Sequence, residues 1–195
     1  MVLQGEGFSP RVRVLFDGIA APVLSTRDTE ILTIVPYALQ GRDWVAVVVE
    51  KMGQRSGAIP VMMVDANPAL FTVNGLGSGQ AVAENADGSP NGPGNPAAPG
   101  AFLTLYGTGE GVPDRAAPAP ALDGRLMPAE PWLLPIPALP VTVWIGGEEA
   151  GLLYAGAVPG GTAGKLQLVV QVPRTLPAGE REVTMQVGLY RGRGA

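Results

Sequence analysis

The chain has 195 residues, 46% hydrophobic and 15% charged, with 28 glycines, 20 prolines and a formal net charge of −4. It has no histidine and no cysteine, which excludes disulfides, thiolate nucleophiles, a Ser–His triad and any zinc site built on His or Cys. Beyond the short Arg191–Arg193 tail there is no Lys/Arg cluster of the kind nucleic-acid binding requires.

The glycines and prolines fall between apolar runs, the texture of a turn-rich all-β protein. No apolar run approaches the roughly 18 residues of a membrane-spanning helix. Met1–Gly7 has neither a basic segment nor an apolar one, so it does not read as a signal peptide. The chain therefore reads either as cytosolic or as a piece of a longer exported protein.

Val12-Arg13-Val14-Leu15-Phe16 alternates with period two and places Val12, Val14 and Phe16 on one face. Asp17-Gly18 is a hairpin turn pair, and Pro22–Ser25 is the return strand. Thr29–Val35 is another strand, stopped by Pro36. Trp44–Glu50 and Ala58–Val64 follow. Next come two short apolar pieces, Leu70–Val73 and Gln80–Ala83, separated by Asn74-Gly75-Leu76-Gly77-Ser78-Gly79. Residues 85–96 are almost all turn formers. Ala101–Gly107 is a clear strand. Thr108–Pro140 is Pro-rich and holds Trp132-Leu133-Leu134; a connection longer than roughly 12–15 residues is unusual. It is expected to be an excursion pinned by its apolar residues, or a binding loop. Helical periodicity is absent throughout.

The last part repeats the first. Val12–Gly18 matches Val141–Gly147, Ala21–Leu24 matches Ala150–Leu153, and the strand ending in Pro36 matches the one ending in Pro173. Val45–Val49 is matched to Val183–Val187. The offset grows from 129 (141 − 12) to 137 (173 − 36), which places an insertion of roughly eight residues around 158–164. Gly5-Glu6-Gly7-Phe8 echoes the glycine-rich turn at Gly107–Gly111. This pattern predicts duplication of one β-sandwich.

The order of motifs in each repeat resembles an IPT/TIG immunoglobulin-like unit. The pair resembles the acidobacterial uncharacterised C-terminal domain family of large secreted proteins. The residues that carry this include Ile34-Val35-Pro36-Tyr37, Asn67–Thr72, Gly79-Gln80-Ala81, Asn85–Ser89, Asn95-Pro96-Ala97, Leu105–Gly111, Val141-Thr142-Val143 and Tyr154-Ala155-Gly156. The resemblance implies an all-β fold in an extracellular or cell-surface setting, and it supplies no activity, cofactor or catalytic residue. In such units a strand precedes the first glycine turn and another follows the final one. The first sandwich is thus expected to lack its opening strand, both ends read as cut, and the exposed edges are the expected place for self-association or for other protein domains.

Glu148 and Glu149 are adjacent and read as a solvated hairpin tip. Gly75–Gly79 and Gly109–Gly111 lack the following helix and the lysine of a phosphate loop, and read as turns. Asn85, Asp87, Ser89 and Asn91 offer oxygens at alternating positions around Gly88, a weak calcium pattern; an Asx-built turn is the favoured reading. Trp132 and Trp144 are read as aromatics that cluster to pin the 108–140 loop, or as a glycan platform.

The expectation is therefore an all-β chain of two tandem immunoglobulin-like (IPT/TIG-like) β-sandwiches. The first is 1–66. The second is 67–195, with opening strands 67–107 and the long loop 108–140. The expected role is a non-enzymatic structural or adhesive module, with no cofactor, no nucleic-acid partner and no membrane insertion. The competing roles are a carbohydrate-binding module of a secreted enzyme and a strand-exchanging subunit of an extracellular filament.

Overall fold

The computed structural model describes residues 1–8, 11–114 and 122–195, and in them the protein is all-β. It divides into two compact units, Met1–Asp65 with Ala116–Leu126, and Ala66–Arg115 with Met127–Ala195. The loop expected to lie wholly in the second unit is thus shared. In its first-unit part, Asp123 Oδ1 accepts the Tyr37 N–H at 3.0 Å, a polar tie that Pro-rich spacing does not announce.

The first unit contains β1 (Val2–Gln4), β2 (Val12–Phe16), β3 (Ile19–Ala21), β4 (Val23–Thr26), β5 (Glu30–Thr33), β6 (Trp44–Lys51), β7 (Gln54–Arg55) and β8 (Ile59–Met62). One antiparallel sheet has the order β1-β5-β4; the other has β3-β2-β6-β7, with β8 also pairing β6. Val14, Phe16, Ile31, Leu39, Val45 and Val47 form the core between them. The inward face of β2 is the one its alternation predicts. Asp17 and Gly18 take φ of +47° and +82°, the geometry of a tight hairpin. The Asp17 carboxylate fixes that turn by accepting the Ala46 N–H at 2.7 Å and pairing with Arg42.

The second unit contains β9 (Ala69–Leu70), β10 (Ala83–Asn85), β11 (Phe102–Thr108), β12 (Val141–Ile145), β13 (Glu148–Glu149), β14 (Gly151–Ala157), β15 (Leu166–Gln171), β16 (Val183–Val187) and β17 (Tyr190–Arg191). Its sheets are β10-β11-β15-β14, with β9 also on β11, and β13-β12-β16-β17. Leu105, Val143, Leu166, Leu168, Val170 and Val187 are fully buried between them. Gly109 must be glycine: it has φ +83°, and a Cβ there would lie 1.9 Å from the Asn67 carbonyl oxygen.

Strands β1–β7 of the first unit have counterparts, in order, in β11–β17 of the second. Val23 pairs Thr33 and Ser25 pairs Leu32, leaving Leu24 as a bulge; Leu152 pairs Val170 and Tyr154 pairs Val169, leaving Leu153 as a bulge. The offsets, 129 (153 − 24) on one strand and 137 (170 − 33) on the other, are those of the sequence repeat. Bulges are specific features of a backbone, so this shared one is a sharper mark of duplication than the apolar pattern. The hairpin strands align less simply. Phe16 pairs Val47 while Ile145 pairs Val183, so β6 corresponds to β16 at an offset of 136, two residues from the sequence match of 138. A slip of two leaves every side chain on its own face, so alternation cannot detect it.

The expected loss of the opening strand is corrected. Val2–Gln4 pairs β5 through Val2–Leu32, Leu3–Ile31 and Gln4–Glu30. Its counterpart is Thr104–Tyr106 of β11, which pairs Val169, Leu168 and Gln167 of β15. In the second unit, Ala195 and Val183 exchange both backbone hydrogen bonds at 3.0 Å, and the Gly192 N–H donates to Met185, so residues 190–195 run along β16.

Leu168 and Gln167 are neighbours on opposite faces of β15, the first wholly buried. Leu168→Ala is expected to lower the unfolding free energy by about 2–5 kcal/mol, and Gln167→Ala to stay within about 0.5 kcal/mol. Urea titration followed by tryptophan fluorescence checks both; equal effects would mean the pleat is misassigned.

Candidate functional site

Residues 85–95 form a knot of short polar side chains around the end of β10. The Ser89 N–H donates to Asp87 Oδ1 at 2.9 Å, and the Ser89 hydroxyl donates to the same oxygen. Asn91 Nδ2 donates to Asn85 Oδ1 at 2.9 Å, and Asn85 Nδ2 donates to the Asn95 carbonyl at 3.0 Å. Asn95 Nδ2 donates to Ser89 Oγ at 2.8 Å. Gly88, at φ +80°, makes the turn. The Ser89 bonds hold the Asp87 carboxyl below the ordinary aspartate range.

The four oxygen-bearing residues read as a calcium pattern are therefore brought together, but a side-chain oxygen of each of Asn85, Asp87 and Ser89 already accepts a hydrogen bond within the turn. Among the described residues there is no group of three or more carboxylates that could share a metal ion. Asn95, which the calcium pattern leaves out, is as central as the four, through its bonds to Ser89, Pro90 and Asn85.

The knot does a definite job. The Asn91 N–H donates to the Ala83 carbonyl at 2.9 Å and the Asn85 N–H to the Ser89 carbonyl at 2.8 Å. The chain thus folds back along the free side of β10 and occupies groups that would otherwise face outward. Other edges are closed differently. On β8, the Met63 N–H donates to the Asp43 carbonyl, so the alternate position, Pro60, faces away from β6, where it presents no donor. On β14, the bulge at Leu153 interrupts the ladder, and the outward Ala157 N–H is taken by the Pro135 carbonyl at 2.9 Å.

The aromatics do not assemble as expected. Trp132 lies on the 3₁₀ turn Pro131–Leu133 and is 78% exposed, so it is not buried in a cluster with Trp144. Met127 and Leu134, each 5% exposed, anchor the loop instead, helped by the Met127 N–H bond to the Gly161 carbonyl. Trp144 does face away from the core, and the Arg191 guanidinium lies 4.8 Å from its ring centroid while donating to Thr184 Oγ1 at 3.1 Å. That stacking ties β17 to β12 across β16, and is worth roughly 0.5–1 kcal/mol.

Glu148 and Glu149 stand on opposite faces of β13, both exposed, with Glu148 accepting a bond from the Thr175 hydroxyl. Around Gly75–Gly79, Asn74 Oδ1 accepts the Leu76 N–H and Thr72 Oγ1 accepts the Gly77 N–H, so this run is a side-chain-braced turn. On the outer face of β11, Tyr106 donates to Glu84 Oε2 at 2.9 Å. Burial first, and then the Glu84 bond and charge, push its phenol up to about 12.

No protein-family model matches the chain, and neither does any curated protein.

Two measurements follow from this geometry. Addition of Ca²⁺ is expected to give no calorimetric heat and no change in Tm, because the Asn85 and Asp87 oxygens are committed to the turn. Tyr106 loses its proton later in the folded state than its ordinary value of 10.0. Its contribution to stability is therefore present below pH 10 and is lost as pH rises toward about 12. Ultraviolet titration of the folded protein should show late phenol ionisation, to which Tyr154 also contributes because burial raises it, and Tyr106→Phe should remove one late phenol; loss of a phenol that titrates near 10 instead would contradict the burial argument.

Proposed function

We propose that this chain is a non-enzymatic structural or adhesive module of a secreted or cell-surface bacterial protein, carried as part of a longer exported chain. In this reading each unit is an immunoglobulin-like sandwich of IPT/TIG type, and the pair is of the acidobacterial C-terminal domain kind that the motifs resemble. The observation that carries it is the duplication itself. Two copies share a bulge at Leu24 and Leu153, and the Asn- and Ser-rich turns spend their polar groups on bracing backbone. The absence of histidine and cysteine from the sequence points the same way.

A second reading, a carbohydrate-binding module, is favoured by one observation: Trp132 is 78% exposed in the second unit, and Trp44 is 60% exposed in the first. Flat aromatic faces left in water are what sugar rings stack on. A glycan array with the intact chain separates the two. The module reading predicts no saturable binding. Binding that disappears in Trp132→Ala or Trp44→Ala, with Tm unchanged, would replace it with the carbohydrate reading.

A further inference from the structure

All five asparagines of the chain lie between residues 67 and 95. An asparagine loses its side-chain amide when the backbone nitrogen of the next residue gives up its proton and attacks Cγ. The Cγ–Nδ2 bond breaks, ammonia leaves and a five-membered succinimide forms. Water then opens the ring to aspartate or isoaspartate. Asn67 and Asn95 precede prolines, whose nitrogen has no proton to lose. Asn85 precedes Ala86, whose Cβ crowds the attacking nitrogen. Asn74 and Asn91 precede glycines, which leave it unhindered.

The fold separates these two. Asn74 Oδ1 accepts the Thr72 hydroxyl at 2.8 Å and the Leu76 N–H at 2.9 Å, and its Nδ2 donates to the Ser78 carbonyl at 2.8 Å. The Gly75 N–H donates to the Thr72 carbonyl at 2.9 Å. The two donors on Oδ1 would ease the charge that builds there during attack. Gly75, however, reaches Cγ only by giving up its own bond and turning an amide plane pinned at both ends. Asn91 is held less firmly. Its Nδ2 makes one bond, to Asn85 Oδ1 at 2.9 Å, and among the described residues its Oδ1 accepts none. The Gly92 N–H reaches the Asn95 carbonyl at 3.4 Å, outside the roughly 2.7–3.2 Å of ordinary N–H···O bonds. Both the attacking nitrogen and the attacked carbon are free to move.

We propose that Asn91 is a site of spontaneous deamidation, and that its conversion unlatches the knot covering the edge of β10. The product puts a carboxylate oxygen where Asn91 Nδ2 stood, 2.9 Å from Asn85 Oδ1, so that two acceptors face each other. Asn85 does not relieve this by turning its own amide over, because its Nδ2 is held by the Asn95 carbonyl at 3.0 Å. The isoaspartate product does more. It adds a methylene to the main chain at residue 91 and turns the former backbone carbonyl, which accepts from Gln80, into a pendant carboxylate. The segment that follows then loses its register with the Asn91 N–H bond to the Ala83 carbonyl. A β10 edge uncovered in this way is open to pairing with other chains. The site is the same whether the chain is a structural module or a carbohydrate binder.

The test ages the intact chain at mildly alkaline pH, below its Tm, and follows both asparagines by peptide mass spectrometry with electron-transfer fragmentation. In the folded chain Asn91 should convert about tenfold faster than Asn74, whereas in urea the two should convert at like rates. Gly92 has an ordinary φ and a Cβ there would meet nothing within 4 Å. Gly92→Ala should therefore keep its Tm and slow Asn91 about tenfold. In Asn91→Asp, hydrogen exchange at the Asn91 and Asn85 amides should speed up about tenfold while Leu168 in the core stays as it was. If that variant fails to fold, exchange on the aged chain gives the same reading. Equal rates at the two sites in the folded chain, or Asn74 ahead, overturn the site. An Asn91 rate unmoved by Gly92→Ala overturns the succinimide route. Unchanged exchange at Asn91 and Asn85 after conversion overturns the unlatching.

Discussion

Every strand carries two rows of backbone donors and acceptors, and a sheet satisfies both rows only where it has a neighbour on each side. Much of this protein's polar chemistry answers that constraint. Asp17 completes the β2 hairpin by taking the Ala46 N–H. The Asn85–Asn95 knot closes β10, Pro60 blunts β8, and the Pro135 carbonyl covers β14. A chain with only 15% charged residues has few side chains to keep its edges apart by repulsion. It uses turn chemistry and proline instead.

Seen this way, the duplication explains the differences between the units as well as their likeness. Both keep the core-facing alternation and the bulge that follows the first hairpin. The second unit then adds β9, β10 and the polar knot on one side of β11, and Met127, Leu134 and Leu139 along the 108–140 loop. These additions raise burial at the core rim, from a half-buried Leu3 to a fully buried Leu105. Hydrophobic burial and edge closure are thus coupled: the strand that satisfies Tyr106 also brings Ala83 over the core.

The parts legible in the sequence were those set by local pattern. Val12–Phe16 and Val141–Ile145 declare their faces by period two, Asp17-Gly18 declares its turn, and the 129-to-137 offset reappears in the paired strands. What was not legible depends on non-local partners. Val2-Leu3-Gln4 is too short to show alternation, and only its pairing with Glu30–Leu32 makes it a strand. The β6 match slipped by two because such a slip preserves both faces. Trp132 drew attention by its size, yet Met127 and Leu134 hold the loop, since a Pro-rich segment has no periodicity to say which side chain turns inward. The oxygens of the 85–91 run were visible as residues, but only the fold shows that they brace a sheet edge.

The central claim is that the two units share one strand plan, and that among the described residues the leading strand is paired on both sides in the second unit and on one side in the first. Residue-resolved hydrogen exchange on the dilute chain tests this most directly. The account predicts that the Tyr106 amide, bonded to Val82, is protected by orders of magnitude while the Gln4 amide exchanges near the rate of an unstructured chain. Comparable protection at Gln4 and Tyr106 would contradict it.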